Sequence, residues 1–390
     1  MKSGSMAVVW SGEKMPRNGD QFYPFRQQSD FFYLSGINQE ESVLLLFPEH
    51  RNSSLREVLF VRKPTSKSNL WTGPSLRPEE ARTLSGISEV KWLEDLDATL
   101  DMMLPTATTI YSDQQYRLGG TYKVATLNPL VTTLRMVKEY EEVEEIKKAS
   151  SITLSAFMNV LQMVKPGVME YQVEAELIGE FIRLGAEGHA YEPIVASGKN
   201  ALILHYVQNN SQCQDGELIL LDFGAEVNNY AADCSRTIPV NGRFTKRQRE
   251  VYEAVVRVFN QARALMKPGI LMADFHTAVG KIWEKEHIGL GLYSLEEARS
   301  QSESDPLWRQ YFMHGTSHSL GLDVHDPFDR SKPFQAGMVL TCEPAIYIPE
   351  EEIGIRLEND ILITESEPAD LLNEIPMEAN EIEAFMHTTQ

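Results

Sequence analysis

LILLDFGAEVNNYAADCSR, residues Leu218 to Arg236, decides how this chain is read. Leu218-Ile219-Leu220-Leu221 is a short apolar run of strand length, Asn228-Asn229 suits a tight hairpin turn, and Tyr230 onward returns along the first run. With the two asparagines as the turn, Asp233 falls opposite Gly224, two positions along from Asp222. Side chains alternate faces with a period of two, so the carboxylates share a face as diagonal neighbours, with Cβ atoms roughly 7 Å apart or less. That separation lets both reach one pair of cations. An isolated Asp near Asn and Gly more often ends a strand or caps a turn, so this pair alone does not favour metal over structure.

A second copy of the pattern changes the balance, because repeated chemistry is harder to reach by chance than a single motif. Gly216 precedes Asp222 by six across ELILL, and Gly337 precedes Glu343 by six across MVLTC, which sets the two acids 121 residues apart in matched settings. His205 stands 17 before Asp222 and His325 stands 18 before Glu343. Lys165-Pro166-Gly167 and Lys267-Pro268-Gly269 each follow one helical pattern and precede another. Two similar αβ halves facing one another are expected. In the second half, a turn at Glu350-Glu351 sets Glu343 directly opposite Glu358, in GIRLEND, so each half donates two acids.

At 390 residues the chain exceeds the size at which one core keeps growing, so two domains are expected, and 42% hydrophobic content suffices for full cores. A formal charge of −20 argues against nucleic acid or an anionic membrane as partner. Cys213, Cys234 and Cys342 are odd in number and lack CxxC spacing, which points away from a disulfide framework and towards a reducing compartment. The apolar stretch in MKSGSMAVVW is too short for a signal peptide, and no run of about 18 apolar residues occurs, so the cytoplasm is the expected location.

Ala7 to Trp10 reads as a strand, as do Phe31 to Leu34, Val43 to Phe47 and Val58 to Val61, with Pro78-Glu79-Glu80 opening a helix. Residues 1–134 therefore form an α/β domain without evident catalytic groups, its single histidine, His50, belonging to a solvated loop. From 135 to 390 the helices come in pairs. Val137 to Val164 is long and amphipathic, Glu170 to Leu184 is stopped by Gly185, Thr245 and Gln248 form a capping box for a helix through Met266, and Ala273 to Glu286 follows. Pairs of helices between strand runs indicate an α+β domain with a curved antiparallel sheet.

HGTSHSLGLDVHD, from His314 to Asp326, holds three of the nine histidines. Gly315 and Gly321 allow close backbone approach there, and spacing leaves open which imidazole coordinates. Four carboxylates with one imidazole make an oxygen-rich site suited to Mn²⁺, with Zn²⁺, Co²⁺ or Fe²⁺ as in vitro substitutes. Two such cations about 3.5–4 Å apart serve metal-assisted hydrolysis.

The succession DFGAEVNNYAADCSRTIPVNGRFT, HGTSHSLGLDVHD, LTCEPAIYI and GIRLEND resembles the pita-bread metallopeptidases, and within them the Xaa-Pro aminopeptidases (aminopeptidase P). PFRQQSDFFYLSGINQEESVLLLFP is similar to that family's N-terminal domain, so the likeness covers nearly the whole chain. It implies a pita-bread catalytic domain with an internal pseudo-twofold repeat, preceded by a smaller α/β domain. It also implies a metal set of Asp222, Asp233, His318, Glu343 and Glu358. In that set Asp222 is terminal on one metal, His318 and Glu343 serve the other, and Asp233 and Glu358 bridge. His205, His314, His325 and Arg356 correspond to groups around the scissile bond, and Glu343 shuttles the proton to the leaving nitrogen. The implied substrate is a peptide with proline second, whose imide nitrogen carries no hydrogen.

Ser235 stands where the family more often has threonine, which keeps a hydroxyl in place. Trp71, in NLWTG, resembles a tryptophan that lines a neighbouring subunit's site in a homodimer or homotetramer, and reads equally well as a core aromatic. A prolidase restricted to Xaa-Pro dipeptides shares all five ligands and differs only in loops. A non-catalytic binding module of the same fold is disfavoured by the intact ligand set.

Overall fold

A strand buried on both faces reads as an unbroken apolar run, and the first strand, Ser5–Trp10, is of that kind. Met6 and Val8 turn to one side and Ala7 and Val9 to the other, each pair entering its own core. The computed structural model describes residues 1–390 apart from 115, 116, 119–121, 303 and 388–390. Contacts divide the chain into two units, Met1–Arg135 and Met136–Gln390.

Among the described residues the first unit carries a six-stranded mixed sheet. Ser5–Trp10 pairs antiparallel with Val43–Leu46 and parallel with Thr109–Tyr111, while Glu57–Val61 and Glu89–Trp92 extend one edge. Leu96, Leu100 and Met103 of one helix cover one face; Phe31, Ala81 and Val131, from three others, cover the opposite face. The run Phe31 to Leu34 is not the expected strand. It lies in the helix Ser29–Ser35, opened by the Gln28 side chain accepting from Phe31 N at 2.6 Å and closed by Gly36 in the left-handed region. An aromatic run this short has no periodicity to separate helix from strand, and here the caps decide.

In the second unit two helix pairs precede two strand systems. Tyr140–Met163 and Glu170–Arg183 come before the antiparallel sheet of Ile194–Ser197, Leu218–Phe223 and Cys234–Pro239. Lys246–Leu265 and Met272–Gly289 come before Val339–Cys342, which pairs with Asn359–Leu362, and Ala345–Ile348, which pairs with Ile353–Arg356. Thr245 and Gln248 cap reciprocally: Thr245 N donates to Gln248 Oε1 at 2.9 Å, and Gln248 N to Thr245 Oγ1 at 3.2 Å.

The two halves repeat one another in detail. Gly167 (φ 93°) donates to the Cys213 carbonyl, and Gly269 (φ 92°) to that of Phe334, each at 2.9 Å. The bridge Met169 to Gln212 has its counterpart in Leu271 to Pro333. Such positive φ values are where glycine costs least.

Both hairpins keep the register expected from their turns. Asn228 and Asn229 have φ of 49° and 64°, the pair of left-handed residues that a type I′ turn requires. Asp222 pairs with Ser235 and Val227 with Tyr230, so Gly224 and Asp233 share a rung. A Cβ at Gly224 would stand 1.8 Å from the Ala232 carbonyl oxygen, so the close approach at that rung admits only glycine. The second turn is wider than expected, a 3-10 turn Pro349–Glu351 followed by left-handed Glu352. Its centre is unchanged. Cys342 pairs with Asn359 and Ala345 with Arg356, so Glu343 and Glu358 face one another across the strands.

No helix among the described residues is long and apolar enough to cross a membrane.

Candidate metal centre

The four acids sit at or beside interruptions of the two strand systems. Asp222 is the penultimate residue of Leu218–Phe223, Asp233 immediately precedes Cys234–Pro239, Glu343 immediately follows Val339–Cys342, and Glu358 immediately precedes Asn359–Leu362. A bridge between Ser235 and Glu358 brings the two halves into register. Between them lies a cavity of about 550 Å³, lined by Asp222, Asp233, His318, Glu343 and Glu358 together with His205, His314, His325 and Arg356. Nine of the ten residues singled out in the sequence therefore meet in one place. Trp71 is the exception; it lies in the first unit, 77% exposed on the helix Ser66–Thr72, and is not among the lining residues.

His318 is the hub of the cluster. Its Nε2 is 3.3 Å from Asp233 Oδ2, 3.8 Å from Glu343 Oε1 and 4.0 Å from Glu358 Oε1. Asp233, His318 and Glu358 each offer a ligand atom within 4.8 Å of the others. Nδ1 of His318 lies 3.1 Å from the Ser319 carbonyl, to which it can donate, so Nε2 is the ring nitrogen that faces the acids. His325 stacks on His318 with ring centroids 3.9 Å apart.

Asp233 spans the cavity. Its Oδ2 faces His318, while its Oδ1 accepts from the Tyr191 hydroxyl at 2.6 Å, the same hydroxyl standing 2.6 Å from Asp222 Oδ1. Arg356, buried behind them, donates from Nη2 to Asp222 Oδ2 at 2.7 Å, from Nε to Ser235 Oγ at 2.8 Å and from Nη1 to the Tyr347 hydroxyl at 2.9 Å. Ser235 Oγ in turn donates to Glu358 Oε2 at 2.7 Å. His314 has Nδ1 at 2.7 Å from the Gly315 carbonyl and Nε2 at 3.1 Å from Tyr347, an arrangement that suits a neutral ring.

Electrostatics sets the requirement for a cation. Burial raises the Glu343 carboxyl to about 7, with Asp233 and Asp222 adding to the rise against the opposing pull of His318 and Arg356. Burial and the neighbouring acids hold Glu358 well above the usual carboxylate range, and burial also raises Asp222. For His318 burial acts downward, but the hydrogen bond it donates to Asp233 and the charges of Glu343 and Asp233 outweigh it and raise the ring to about 9. His314 goes the other way, lowered to about 3 by burial and then by the charge of Arg356. Four carboxylates packed this closely are not all ionised at neutral pH without positive charge among them. The donors present, carboxylate oxygens and one imidazole nitrogen, are those a divalent cation takes.

Several residues that serve this centre carried no weight in the sequence. Asp360 is fully buried and its Oδ2 accepts from Asp233 N at 3.1 Å. A period-two count from Glu358 would have pointed to it. Tyr191 and Tyr347 have no comparable signal, since they become neighbours of the acids only through the fold. Lys138 pairs with Asp326 at 3.1 Å, both side chains 1% exposed, behind the segment that holds His318 and His325. The cysteines are free and buried, two of them next in sequence to Asp233 and Glu343.

Comparison with known proteins follows the same division of the chain. The model of metallopeptidase family M24 matches residues 144–365, and that of the aminopeptidase P N-terminal domain matches residues 1–111. The Xaa-Pro aminopeptidase of Escherichia coli (strain K12) is 34% identical over 421 residues, with 99% of this chain and 94% of the relative covered. Xaa-Pro aminopeptidase 3 of Homo sapiens is 34% identical over 408 residues, covering 96% of this chain and 80% of the relative. Among solved structures, zinc-substituted E. coli aminopeptidase P in complex with product matches with a TM-score of 0.91 at 33% identity, covering 100% of this chain and 96% of that one.

Proposed function

The chain belongs to metallopeptidase family M24, and on that premise we propose how its residues divide the work of a metal-dependent aminopeptidase. It is a hydrolase that cleaves the bond between an N-terminal residue and a following proline, and it uses divalent metal. Its fold is the pita-bread domain preceded by the N-terminal domain of aminopeptidase P. In our reading the centre takes two cations, with Mn²⁺ the natural occupant of so oxygen-rich a donor set. Asp222 would serve one, His318 and Glu343 the other, and Asp233 and Glu358 both. The observation that carries this division is the orientation of Asp233, whose two oxygens face Tyr191 and Asp222 on one side and His318 on the other. The chemistry such cations supply is Lewis-acid polarisation of a carbonyl and a water nucleophile at neutral pH.

The side chains do the rest. Glu343 would accept the proton released by the attacking water and return it to the proline nitrogen as that nitrogen leaves. His205 and His325, at the cavity wall, would hold the carbonyl oxygen as it gains charge, a contact that speeds the reaction to the extent that it strengthens in the transition state. His314 would stay neutral and, with Arg356, fix the position of the Tyr347 hydroxyl, which both rings of contacts share.

We further place the protein in the cytoplasm, on the strength of three free, buried cysteines, and acting as a homodimer or homotetramer to which Trp71 presents an exposed indole. A formal charge of −20 supports a peptide substrate rather than a nucleic acid or an anionic membrane.

The test is a pair of substrates given to protein reconstituted with Mn²⁺. Release of the first residue from Xaa-Pro-Xaa is expected, and Glu343→Gln should abolish it while leaving the fold, read by far-ultraviolet circular dichroism, intact. A protein that hydrolyses Xaa-Pro but leaves the tripeptide intact would be a prolidase instead.

A further inference from the structure

His205 belongs to a stretch, Ile203 to Asn210, without regular secondary structure, and its own side chain is exposed at the cavity wall. A catalytic imidazole on such a loop needs something that fixes the loop. The residue that does so is far from the metal ligands. Glu170, the first residue of the helix Glu170–Arg183, is fully buried, and among the described residues its carboxylate accepts from Ser197, Asn200, Tyr206 and Ser211, which flank His205 on both sides. Oε1 takes the entry, accepting from Ser197 N at 2.7 Å, Ser197 Oγ at 2.8 Å and Asn200 Nδ2 at 3.0 Å. Oε2 takes the exit, accepting from the Tyr206 hydroxyl at 2.8 Å and Ser211 N at 2.8 Å.

One carboxylate thus closes a fifteen-residue excursion from Ser197 to Ser211. A buried carboxylate is costly to desolvate unless it is well hydrogen-bonded, and these five donors, at the positive end of a helix, meet that condition. Burial pushes the Glu170 carboxyl up, and the donors from Ser197, Asn200 and Ser211 more than reverse the effect. Tyr206 adjoins His205 in sequence and is 5% exposed, so neighbouring side chains point to opposite sides: the phenol down to Glu170, the imidazole out to the cavity. Asn209 adds a second tie, accepting from Val195 N at 3.0 Å and donating to the Pro193 carbonyl at 2.8 Å.

We propose that Glu170 is a positioning residue for the peptidase reaction, acting through Tyr206 and the loop it closes to hold His205 against the substrate carbonyl. This rests on the role given to His205 above. Glu170→Gln keeps the shape of the side chain but turns one oxygen into a donor, which then faces the donors at one end of the loop.

The experiment is a double-mutant cycle on the full chain reconstituted with Mn²⁺, using a Xaa-Pro-Xaa tripeptide and measuring kcat, KM and bound metal for each variant. Glu170→Gln should lower kcat roughly 10- to 100-fold, the range expected for misplacement of a catalytic group by about 1 Å, with metal content unchanged. In a His205→Ala background the same substitution should change kcat by less than about threefold, because the group it positions is gone. Tyr206→Phe removes one donor only and should show the same dependence on His205 with a smaller effect, so the cycle can be closed with it if Glu170→Gln does not fold. A slow His205→Ala chain on which Glu170→Gln retains its full effect overturns this inference alone. A His205→Ala chain at full rate overturns the role of His205, and this inference with it.

Discussion

Removing the metal should invert the pH dependence of stability. In the metal-free chain Glu343 is raised from its ordinary 4.5 to about 7, so between those values the folded protein holds a proton that the unfolded chain releases. At ~1.36 kcal/mol per pH unit, that is on the order of 3 kcal/mol of stability, present below pH 4.5 and lost as pH rises through 7. His318, raised from 6.5 to about 9, acts in the same direction, its contribution present below 6.5 and lost as pH rises through 9. The two groups lie 3.8 Å apart and titrate as a pair, so their contributions are not summed. In both cases protons take the place of the missing cations. With metal bound the slope reverses, since the ligands must be deprotonated to hold it. The assay is thermal unfolding of chelator-treated protein from pH 5 to pH 9, with and without Mn²⁺. Metal-free protein should lose about 6–12 °C in melting temperature as pH rises from 5 to 7.5, at ~2–4 °C per kcal/mol, and metal-loaded protein should not. Glu343→Gln, which removes the carboxyl, should flatten the acid part of the metal-free curve and so separate this effect from general charge repulsion. A metal-free melting temperature that is level or rises from pH 5 to 7.5 would refute the reasoning.

Lys138→Met removes the ammonium 3.1 Å from Asp326 in a site closed to water, and should cost ~3–5 kcal/mol in urea unfolding; a loss below about 1 kcal/mol would show that the pair is dispensable. Tyr191→Phe takes the shared hydroxyl from Asp222 and Asp233 and should weaken Mn²⁺ binding about 10- to 100-fold by calorimetry, an unchanged affinity counting against its role. Gly224→Ala places a Cβ 1.8 Å from the Ala232 carbonyl oxygen and should yield misfolded or metal-free protein, as read by metal stoichiometry after gel filtration.

The second unit was legible because its signals are local. Thr245 and Gln248 lie three apart and announce a capping box, and the Asn228-Asn229 turn fixes a register that a hydrophobic pattern then has to follow. The second hairpin shows how tolerant that logic is: a four-residue turn replaced the expected two, yet its centre stayed put and Glu343 still faces Glu358. Phe31 to Leu34 failed for the opposite reason. Four large apolar residues satisfy either period, and the decision rests on the Gln28 cap and on Phe31 finding a place in a core made by distant strands.

At the candidate metal centre the acids and the imidazole that converge were legible and their supports were not, and the difference has a physical cause. Each acid stands at or beside a break in its own strand system, where the backbone is free to bond elsewhere, and the partner is often supplied by the other half. Asp233 N donates to Asp360, Glu358 N donates to the Ser235 carbonyl, and Ser235 Oγ donates to Glu358. Arg356, from the second half, holds Asp222, from the first. The geometry of each pair of acids is thus imposed in part by residues more than a hundred positions away, in a segment that the local pattern around the acid does not mention. A repeat in the sequence can disclose that two halves are built alike; the contacts by which they fix one another's side chains exist only once both have folded and met.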